Sequence, residues 1–317
     1  MELPITAADI RAAAERIKPL AGKTPVLTSD KLDARAGTSV FLKCENLQRG
    51  GAFKIRGAAN LILSLTPEQI ARGVVGFSSG NHAQAVATAA KHVGAAAIIV
   101  MPDDAPKSKI EPTRAMGAQV ILYDRFREDR EAIARKILSE TGGTLVPPFD
   151  HPMIMAGQGT VALELMEEIA GLDSLVVCAG GGGLLAGSAI MAKAINPEIR
   201  IFGVEPELAD DLRQSVHKGE RITIAPSETI ADGLRTPSTG KLTFPVIQQL
   251  VEDILVVSED EIRAAMRFLI ENLKIVAEPS GAVGVAAVLF NKIPPGLGRT
   301  GVVISGGNVD YDFLKTL

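Results

Sequence analysis

One lysine and one run of glycines stand out as residues that could carry chemistry. Lys54 lies between Phe53 and Ile55, directly after a Gly-Gly turn. Apolar surroundings lower the pKa of an amine, so a lysine in such a place can act as a nucleophile or a base. Gly180–Gly183 follow an apolar run, and the free N–H groups at a glycine-rich helix start suit a phosphate. Together these segments predict a reactive amine and a phosphate site.

The glycine run by itself leaves three interpretations open. The first is a cradle for a single phosphate group. The second is a dinucleotide site, because Gly181, Gly183 and Ala186 match the G-x-G-x-x-A spacing. Glu205, at the end of a later apolar run, would then stand where a ribose-binding acid belongs. The third is a tight turn that needs small residues, and the loop alone does not decide between the three.

Short β-branched runs alternate with stretches of helical spacing over most of the chain. The predicted strands are Val40–Lys43, Val74–Phe77, Ala96–Met101, Gln119–Leu122, Ser174–Cys178, Ile199–Val204, Ile254–Val257 and Gly301–Ile304. The predicted helices include His82–His92, Arg130–Ser139, Thr160–Ile169 and Glu261–Leu273. This alternation predicts the α/β class, with doubly wound, mostly parallel sheets that helices cover on both faces.

Three glycine-containing turns follow apolar runs in this pattern. They are Ser78–Asn81, Gly180–Gly183 and Ser305–Asn308. Ligands of parallel α/β sheets bind beyond the C-terminal ends of the strands, where such turns lead into helices. We therefore expect the three turns to meet around one ligand.

Composition and charge argue against several classes of protein. The formal net charge is −4 and the basic residues are scattered, so there is no basic stripe for a nucleic acid. Cys44 and Cys178 are far apart, which indicates a reducing compartment rather than a disulfide framework. The strongest apolar run, Val93–Met101, is too short to cross a bilayer, and residues 1–10 lack the pattern of a signal peptide. We expect a cytoplasmic protein that binds neither membranes nor nucleic acids.

Eight short motifs, spread over nearly the whole chain, carry a family resemblance. They are Phe53–Gly57, Ser78–His82, Ala156–Thr160, Gly180–Gly183, Gly203–Pro206, Ala231–Gly233, Glu278–Pro279 and Ser305–Asn308. These motifs resemble the fold-type II pyridoxal-phosphate family of threonine dehydratases, serine racemases and 3-hydroxyaspartate dehydratases. The resemblance favours pyridoxal phosphate over a dinucleotide. It implies a homodimer with the tryptophan synthase β-like fold, in which residues 1–74 and 141–317 form a large cofactor-binding domain and residues 75–140 a small, mobile substrate-side domain.

The resemblance implies that Lys54 is a catalytic residue that binds pyridoxal phosphate covalently and later removes the α-proton of the substrate. The other cofactor-binding residues that it implies are Phe53, Asn81, Gly180, Gly181, Gly182, Gly183, Leu184, Gly233, Glu278 and Ser305. Ser305 would face the pyridine nitrogen, the alternative being a simple turn serine. Because a hydroxyl stabilises a pyridinium less than a carboxylate does, the ring would be a weak electron sink, which favours prompt loss of a β-hydroxyl.

The turn that leads to Asn81 is expected to hold the substrate. The substrate-binding residues that the resemblance implies are Ser78, Ser79, Gly80, Asn81, His82 and Arg130. Related dehydratases often carry alanine where Ser79 stands, whereas racemases carry serine. Ser79 would then be a second catalytic residue that donates and accepts a proton, which predicts some racemase activity. The alternative is a hydroxyl that binds the substrate carboxylate.

Three residues of one acidic loop match a metal site of the family. They are Glu205, the Ala209 carbonyl and Asp211. Two carboxylates and a carbonyl suit a hard cation such as Mg²⁺, or else Ca²⁺ or Mn²⁺, with waters completing the shell. The alternative is a solvated acidic loop without a metal.

The implied function is that of a dehydratase, an ammonia-lyase that converts a β-hydroxy-α-amino acid to a keto acid and ammonia. Ala52 replaces the serine that most threonine dehydratases carry at this position. Arg130 aligns with an arginine that meets a dicarboxylate in related racemases, and His82 could assist it. Ala52 resembles the branch of fungal serine racemases and 3-hydroxyaspartate dehydratases, and Arg130 favours 3-hydroxyaspartate over L-threonine or L-serine, unless it only decorates a surface helix. The alternatives are a serine or aspartate racemase, an NAD-dependent oxidoreductase and a non-catalytic amino-acid-binding protein.

Overall fold

The computed structural model describes residues 3–78, 80–105 and 107–317, which form two β-sheets and the helices around them. The strands are β1 (Val26–Leu27), β2 (Val40–Cys44), β3 (Val74–Phe77), β4 (Ala97–Pro102), β5 (Gln119–Tyr123), β6 (Thr144–Leu145), β7 (Ser174–Cys178), β8 (Arg200–Pro206), β9 (Asp253–Val257) and β10 (Thr300–Ile304). The helices are α1 (Ala7–Ile17), α2 (Asp30–Ala36), α3 (Lys54–Ile62), α4 (Pro67–Arg72), α5 (Asn81–Val93), α6 (Lys107–Ala115), α7 (Arg130–Thr141), α8 (Pro152–Glu168), α9 (Gly183–Ile195), α10 (Asp211–Lys218), α11 (Thr243–Leu250), α12 (Glu259–Phe268), α13 (Pro279–Leu289) and α14 (Tyr311–Leu314). Short 3-10 turns cover Glu45–Leu47, Arg49–Gly51 and Asp232–Leu234.

The two sheets are almost entirely parallel. The larger sheet has the strand order β1-β2-β10-β7-β8-β9, and only the pair of β1 with β2 is antiparallel. The smaller sheet has the order β5-β4-β3-β6 and is parallel throughout. The predicted α/β class with two mostly parallel sheets is therefore confirmed. The strands of the smaller sheet lie between Val74 and Leu145, and the predicted domain boundaries near residues 74 and 141 stay a prediction.

Each predicted strand is present, with its ends within two residues of those expected. The strands β1 and β6 were not predicted, because two residues are too few to show an alternating pattern. The predicted helix Glu261–Leu273 is wrong at its end. There α12 gives way to a π-helical turn, Leu269–Leu273, which Lys274 terminates in the left-handed conformation at φ 60°. Apolar spacing continues through this turn, so periodicity alone did not reveal the change.

Helices bury the smaller sheet on both faces. Alternate residues of β3 point to opposite sides, so that Val74 joins the core beneath α5 while Val75 and Phe77 join the core beneath α7. The larger sheet lies in one continuous apolar core that includes α8, α9 and α13. Among the helices of the described residues, none combines the length and the apolar character that a membrane span requires.

The two cysteines are free thiols inside the larger core. Cys44 ends β2 and Cys178 ends β7. Burial raises the pKa of the Cys44 thiol to about 12 and that of the Cys178 thiol to about 11. Both side chains are therefore protonated at neutral pH.

Candidate active site

A cavity of about 680 Å³ is lined by residues that follow the C-terminal ends of strands from both sheets. The structure brings the turn after β3, the glycine turn after β7 and Ser305 after β10 to this one cavity. All fifteen described residues that the sequence analysis marks for cofactor or substrate contact line this cavity: Phe53, Lys54, Ser78, Gly80, Asn81, His82, Arg130, Gly180, Gly181, Gly182, Gly183, Leu184, Gly233, Glu278 and Ser305. Ser79 lies outside the described residues. The arrangement is a single site built at the edge where parallel α/β sheets bind ligands.

Lys54, the first residue of α3, points its amine into the cavity. The Lys54 Nζ donates a hydrogen bond to the Pro148 carbonyl at 2.9 Å and lies 5.0 Å from the centre of the Phe53 ring. Desolvation lowers the pKa of Lys54 to about 8, although Cys178 and Glu278 act in the opposite direction. A sizeable fraction of the amine is therefore neutral near physiological pH, which is the form that attacks a carbonyl.

The glycine turn Gly180–Gly183 connects β7 to α9 and forms an anion cradle. Gly182 has a φ of 88°, a left-handed conformation that side chains disfavour. A Cβ atom on Gly181 would overlap the ring of Phe149, so the close approach of the two segments requires glycine. The first N–H groups of α9, including that of Leu184, have no acceptor within the helix. They can bind a phosphate, which the helix dipole also favours.

A hydrogen-bonded chain of side chains fixes Asn81 at the start of α5. The Asn81 Nδ2 donates to Glu278 Oε1 at 2.7 Å, and the Asn81 Oδ1 accepts from Asn308 Nδ2 at 2.9 Å. Burial raises the pKa of Glu278 to about 8, and the nearby Asp232 carboxylate adds to the rise. Glu278 is therefore mostly protonated at neutral pH, and the orientation of the Asn81 amide is set by partners from two distant segments.

Ser280 joins two of the predicted cofactor residues, although the sequence analysis did not select it. The Ser305 hydroxyl donates to the Ser280 carbonyl at 3.4 Å, and the Ser280 hydroxyl accepts from the Gly233 N–H at 2.9 Å. Ser280 also lines the cavity. The only signal in the sequence was its position two residues after Glu278.

The ring of His82 is neutral and has only one free hydrogen-bonding atom. Its Nε2 lies 2.8 Å from the Val146 carbonyl, so this nitrogen carries the proton and Nδ1 is an acceptor. Burial lowers the pKa of His82 to about 3, and the Lys54 charge contributes. The side chain therefore has no donor for a carboxylate, and contact of His82 with a substrate carboxylate would need its backbone N–H. Its substrate role stays a prediction.

Arg130 lies at the start of α7 and reaches the cavity. Its guanidinium is 5.3 Å from the centre of the Phe77 ring. Within residues 3–78, 80–105 and 107–317, no carboxylate forms an ion pair with it. Arg130 is therefore a cation at the cavity wall that is available to an anionic ligand.

The predicted metal residues lie together outside the cavity, between β8 and α10. Glu205, Ala209 and Asp211 are fully buried. The Glu205 Oε2 accepts from the Arg213 N–H at 3.0 Å. Glu205 Oε1 and both carboxylate oxygens of Asp211 have no partner among the described residues. Burial raises the pKa of Asp211 to about 7, and burial and the Asp211 charge raise that of Glu205 well above its usual range. Two buried carboxylates without a counter-ion fit a bound cation.

A desolvated lysine beside a glycine phosphate cradle, at the ends of parallel strands, defines an enzyme site for a phosphorylated carbonyl cofactor. The chain belongs to the pyridoxal-phosphate dependent enzyme family, whose sequence pattern matches residues 17–306. Pyridoxal phosphate is therefore its cofactor, and the dinucleotide interpretation is set aside.

Known proteins resemble the chain over almost its entire length. It is 48% identical to a serine racemase of Schizosaccharomyces pombe over 304 residues, which cover 96% of this chain and 94% of the relative. It is also 48% identical to an L-threo-3-hydroxyaspartate ammonia-lyase of Saccharomyces cerevisiae over 312 residues, with coverages of 98% and 96%. The structure of maize serine racemase superimposes with a TM-score of 0.95 at 45% identity, over 99% of this chain and 96% of that one. These similarities confirm the predicted family and its tryptophan synthase β-like fold.

Proposed function

We propose that this chain is a pyridoxal-phosphate dependent ammonia-lyase that acts on a β-hydroxy-α-amino acid, with 3-hydroxyaspartate favoured over threonine and serine. The observation that carries the proposal is the Lys54 amine in one cavity with the glycine cradle Gly180–Gly183. Similarity to an L-threo-3-hydroxyaspartate ammonia-lyase supports the lyase. Equal similarity to a serine racemase supports the second candidate, a racemase with dehydratase side activity.

Lys54 and the glycine cradle are the residues that would hold the cofactor. When bound, pyridoxal phosphate withdraws electrons from the α-carbon of the amino acid and so makes the α-proton acidic. Lys54 would hold the cofactor covalently, and the N–H groups of Gly180–Gly183 and Leu184 would bind its phosphate. With a pKa of about 8, the Lys54 amine can also accept the α-proton as a general base.

Two groups around the proposed ring position support elimination over racemisation. Ser305, which we propose faces the ring nitrogen, offers a neutral hydroxyl instead of a carboxylate. Glu278 lines the same cavity but is mostly protonated at neutral pH. Neither residue supplies a full negative charge that would stabilise a protonated ring, so a β-hydroxyl should leave before the α-carbon is reprotonated.

The racemase candidate depends on a second acid-base group, for which Ser79 remains our prediction. Reaction in D₂O separates the two candidates. A lyase should release keto acid and leave the remaining substrate without deuterium at the α-carbon. Deuterium in the remaining substrate, together with the D-isomer, would support the racemase, and Ser79→Ala should then remove both signals.

Arg130 is the residue that we propose for the second carboxylate of the substrate. Arg130→Ala should lower kcat/KM for 3-hydroxyaspartate by about thirtyfold or more, the loss expected on removing one partner of a desolvated charge pair, and leave kcat/KM for serine unchanged. Arg135→Ala is the matched control, because Arg135 lies on the same helix but pairs with Asp129 and Glu131 at exposed positions. An equal loss for both substrates would contradict the assignment.

We also propose that Glu205, the Ala209 carbonyl and Asp211 bind Mg²⁺, or else Ca²⁺ or Mn²⁺. The partnerless carboxylate oxygens support this site. Its role would be structural or activating, since these residues do not line the cavity. Chelation should lower the melting temperature of the wild type and Mg²⁺ should restore it, while Asp211→Asn should respond to neither. A melting temperature that chelation does not change would contradict the metal site.

The cofactor and the reaction are tested on purified protein. The proposal predicts a yellow protein, borohydride fixation of the cofactor to Lys54 by peptide mass, and release of keto acid and ammonia. Colourless protein that remains unmodified at Lys54 after incubation with pyridoxal phosphate would refute the site. We also propose that the protein is a cytoplasmic homodimer. Light scattering, which measures molar mass, tests the dimeric state.

A further inference from the structure

Each β-sheet with its covering helices is here called a sheet unit. A second lysine, Lys109, lines the cavity and forms an ion pair that connects the two sheet units. Lys109 lies on α6, between β4 and β5 of the smaller sheet. Its partner, Asp232, begins a 3-10 turn that contacts α13 beside the larger sheet. The side chains of Lys109 and Asp232 are 13% and 33% exposed, so the pair is largely sheltered from solvent. The ion pair therefore ties the two units together at the cavity itself.

Lys109 also forms one wall of the turn that precedes α5. An ideal Cβ atom on Gly80 would lie 3.3 Å from the Lys109 Cδ and 3.4 Å from its Nζ. The first N–H groups of α5 have no intrahelical acceptor and are the site at which a substrate carboxylate would bind. The position of Lys109 thus limits the positions that this turn can adopt.

The other side of the same turn is held through Glu278. Asn81 donates to Glu278, whose pKa Asp232 raises and Lys109 lowers, so the ion pair lies close to this carboxyl. The Lys109 side chain therefore lies beside Gly80, and Asn81 is hydrogen-bonded to Glu278, which lies near the ion pair. The groups around the Gly80–Asn81 turn therefore come from both sheet units: Lys109 from the smaller one, and Asp232 and Glu278 from the larger one.

We propose that Lys109 and Asp232 are a positioning pair that holds the Gly80–Asn81 turn in the conformation that binds the substrate carboxylate. The inference rests on the proposed function, in which this turn binds an amino acid. Lys109 acts through the turn and takes no part in proton transfer. Loss of the pair should therefore weaken substrate binding more than it slows the chemical step.

The test combines kinetics of the holoenzyme with amide hydrogen exchange. Lys109→Met and Asp232→Asn should each raise KM about tenfold and change kcat by less than about threefold, since a close charge pair contributes on this scale. Both variants should speed exchange at the start of α5, in protein with or without cofactor. Lys109→Arg keeps the charge although it changes the shape of the side chain, so it should lose less than Lys109→Met. Lys292→Met is the matched control, since its ion pair with Glu261 lies outside the cavity lining.

The charge-reversed double variant decides whether the two residues act as a pair. Lys109→Asp with Asp232→Lys should recover most of the KM and the slow exchange that each single reversal loses. The proposal would be overturned if the double variant showed the sum of the two single effects on KM. It would also be overturned if neither Lys109→Met nor Asp232→Asn changed the exchange rate at the start of α5. If the wild type turns over no amino acid, the proposed function fails by itself, while hydrogen exchange still tests the positioning pair.

Discussion

Replacing Arg56 with methionine should destabilise the protein by about 3–5 kcal/mol, because it leaves a buried carboxylate without its counter-ion. Arg56 lies in the first turn of α3 and is fully buried. Its guanidinium donates to both oxygens of Glu45, at 2.7 and 2.8 Å, and to both oxygens of Glu164, at 2.7 and 2.8 Å. The prediction concerns stability, although Arg56 follows Lys54 by only two residues.

The size of this destabilisation depends on which partners the Glu45 and Glu164 carboxylates retain in Arg56→Met. Glu164 is 20% exposed and retains its ion pair with Lys43 at 2.7 Å. Glu45 is fully buried and, among the described residues, retains only the hydrogen bond from the Thr24 hydroxyl, at 2.5 Å. The cost therefore falls on Glu45 and should match that of breaking a buried ion pair, about 3–5 kcal/mol. Replacing Glu45 with methionine as well should recover most of it, since a well-packed apolar pair is often as stable as the buried charges.

Urea unfolding of cofactor-free protein, followed by far-UV circular dichroism, measures these free energies. The surface ion pair of Arg200 with Glu252 gives a matched control, because its side chains are 40% and 42% exposed. Arg200→Met should cost less than about 1 kcal/mol. A loss below about 1 kcal/mol for Arg56→Met would refute the reasoning, as would a double variant no more stable than the single one.

Three further predictions concern the cavity. Gly181→Ala should weaken cofactor binding more than about tenfold, because its methyl group would overlap the Phe149 ring. The control Gly22→Ala has room for the methyl group and should leave cofactor binding unchanged. Absorbance titration with pyridoxal phosphate measures both affinities. Glu278→Gln should alter the pH dependence of the melting temperature. Because its pKa is raised from 4.5 to about 8 on folding, wild-type stability should fall as pH rises through this range, and the variant should lack this contribution. In cofactor-free protein, the rate at which Lys54 captures pyridoxal phosphate covalently should rise with pH and level off above about pH 8, where the amine is neutral. A rate that levels off only above about pH 10.5 would contradict the lowered pKa.

Periodicity and turn residues predicted the sheets and the location of the cavity. The strands β3, β7 and β10 are short apolar runs that end in glycine-containing turns, and this local pattern is enough to place them. The sequence therefore predicted which turns meet at the site. It could not predict what each side chain contacts there.

Contacts between distant segments account for the features that the sequence did not reveal. The proton of His82 is fixed by the Val146 carbonyl, 64 residues away. Lys109 meets Asp232 across 123 residues, and nothing near either residue marks it as a partner. Such pairs depend on how the two sheet units are placed, which no local pattern encodes.

The sheltered thiols of Cys44 and Cys178 make the chain convenient for site-directed labelling. A maleimide reacts with the thiolate, and both native cysteines are protonated at neutral pH. The chain also has no tryptophan, so its intrinsic fluorescence background is low. A single cysteine or tryptophan introduced at Phe126, which is 84% exposed, would give a signal from that position alone. Wild-type protein can thus serve directly as the parent for fluorescence or spin-label distance measurements between the two sheets.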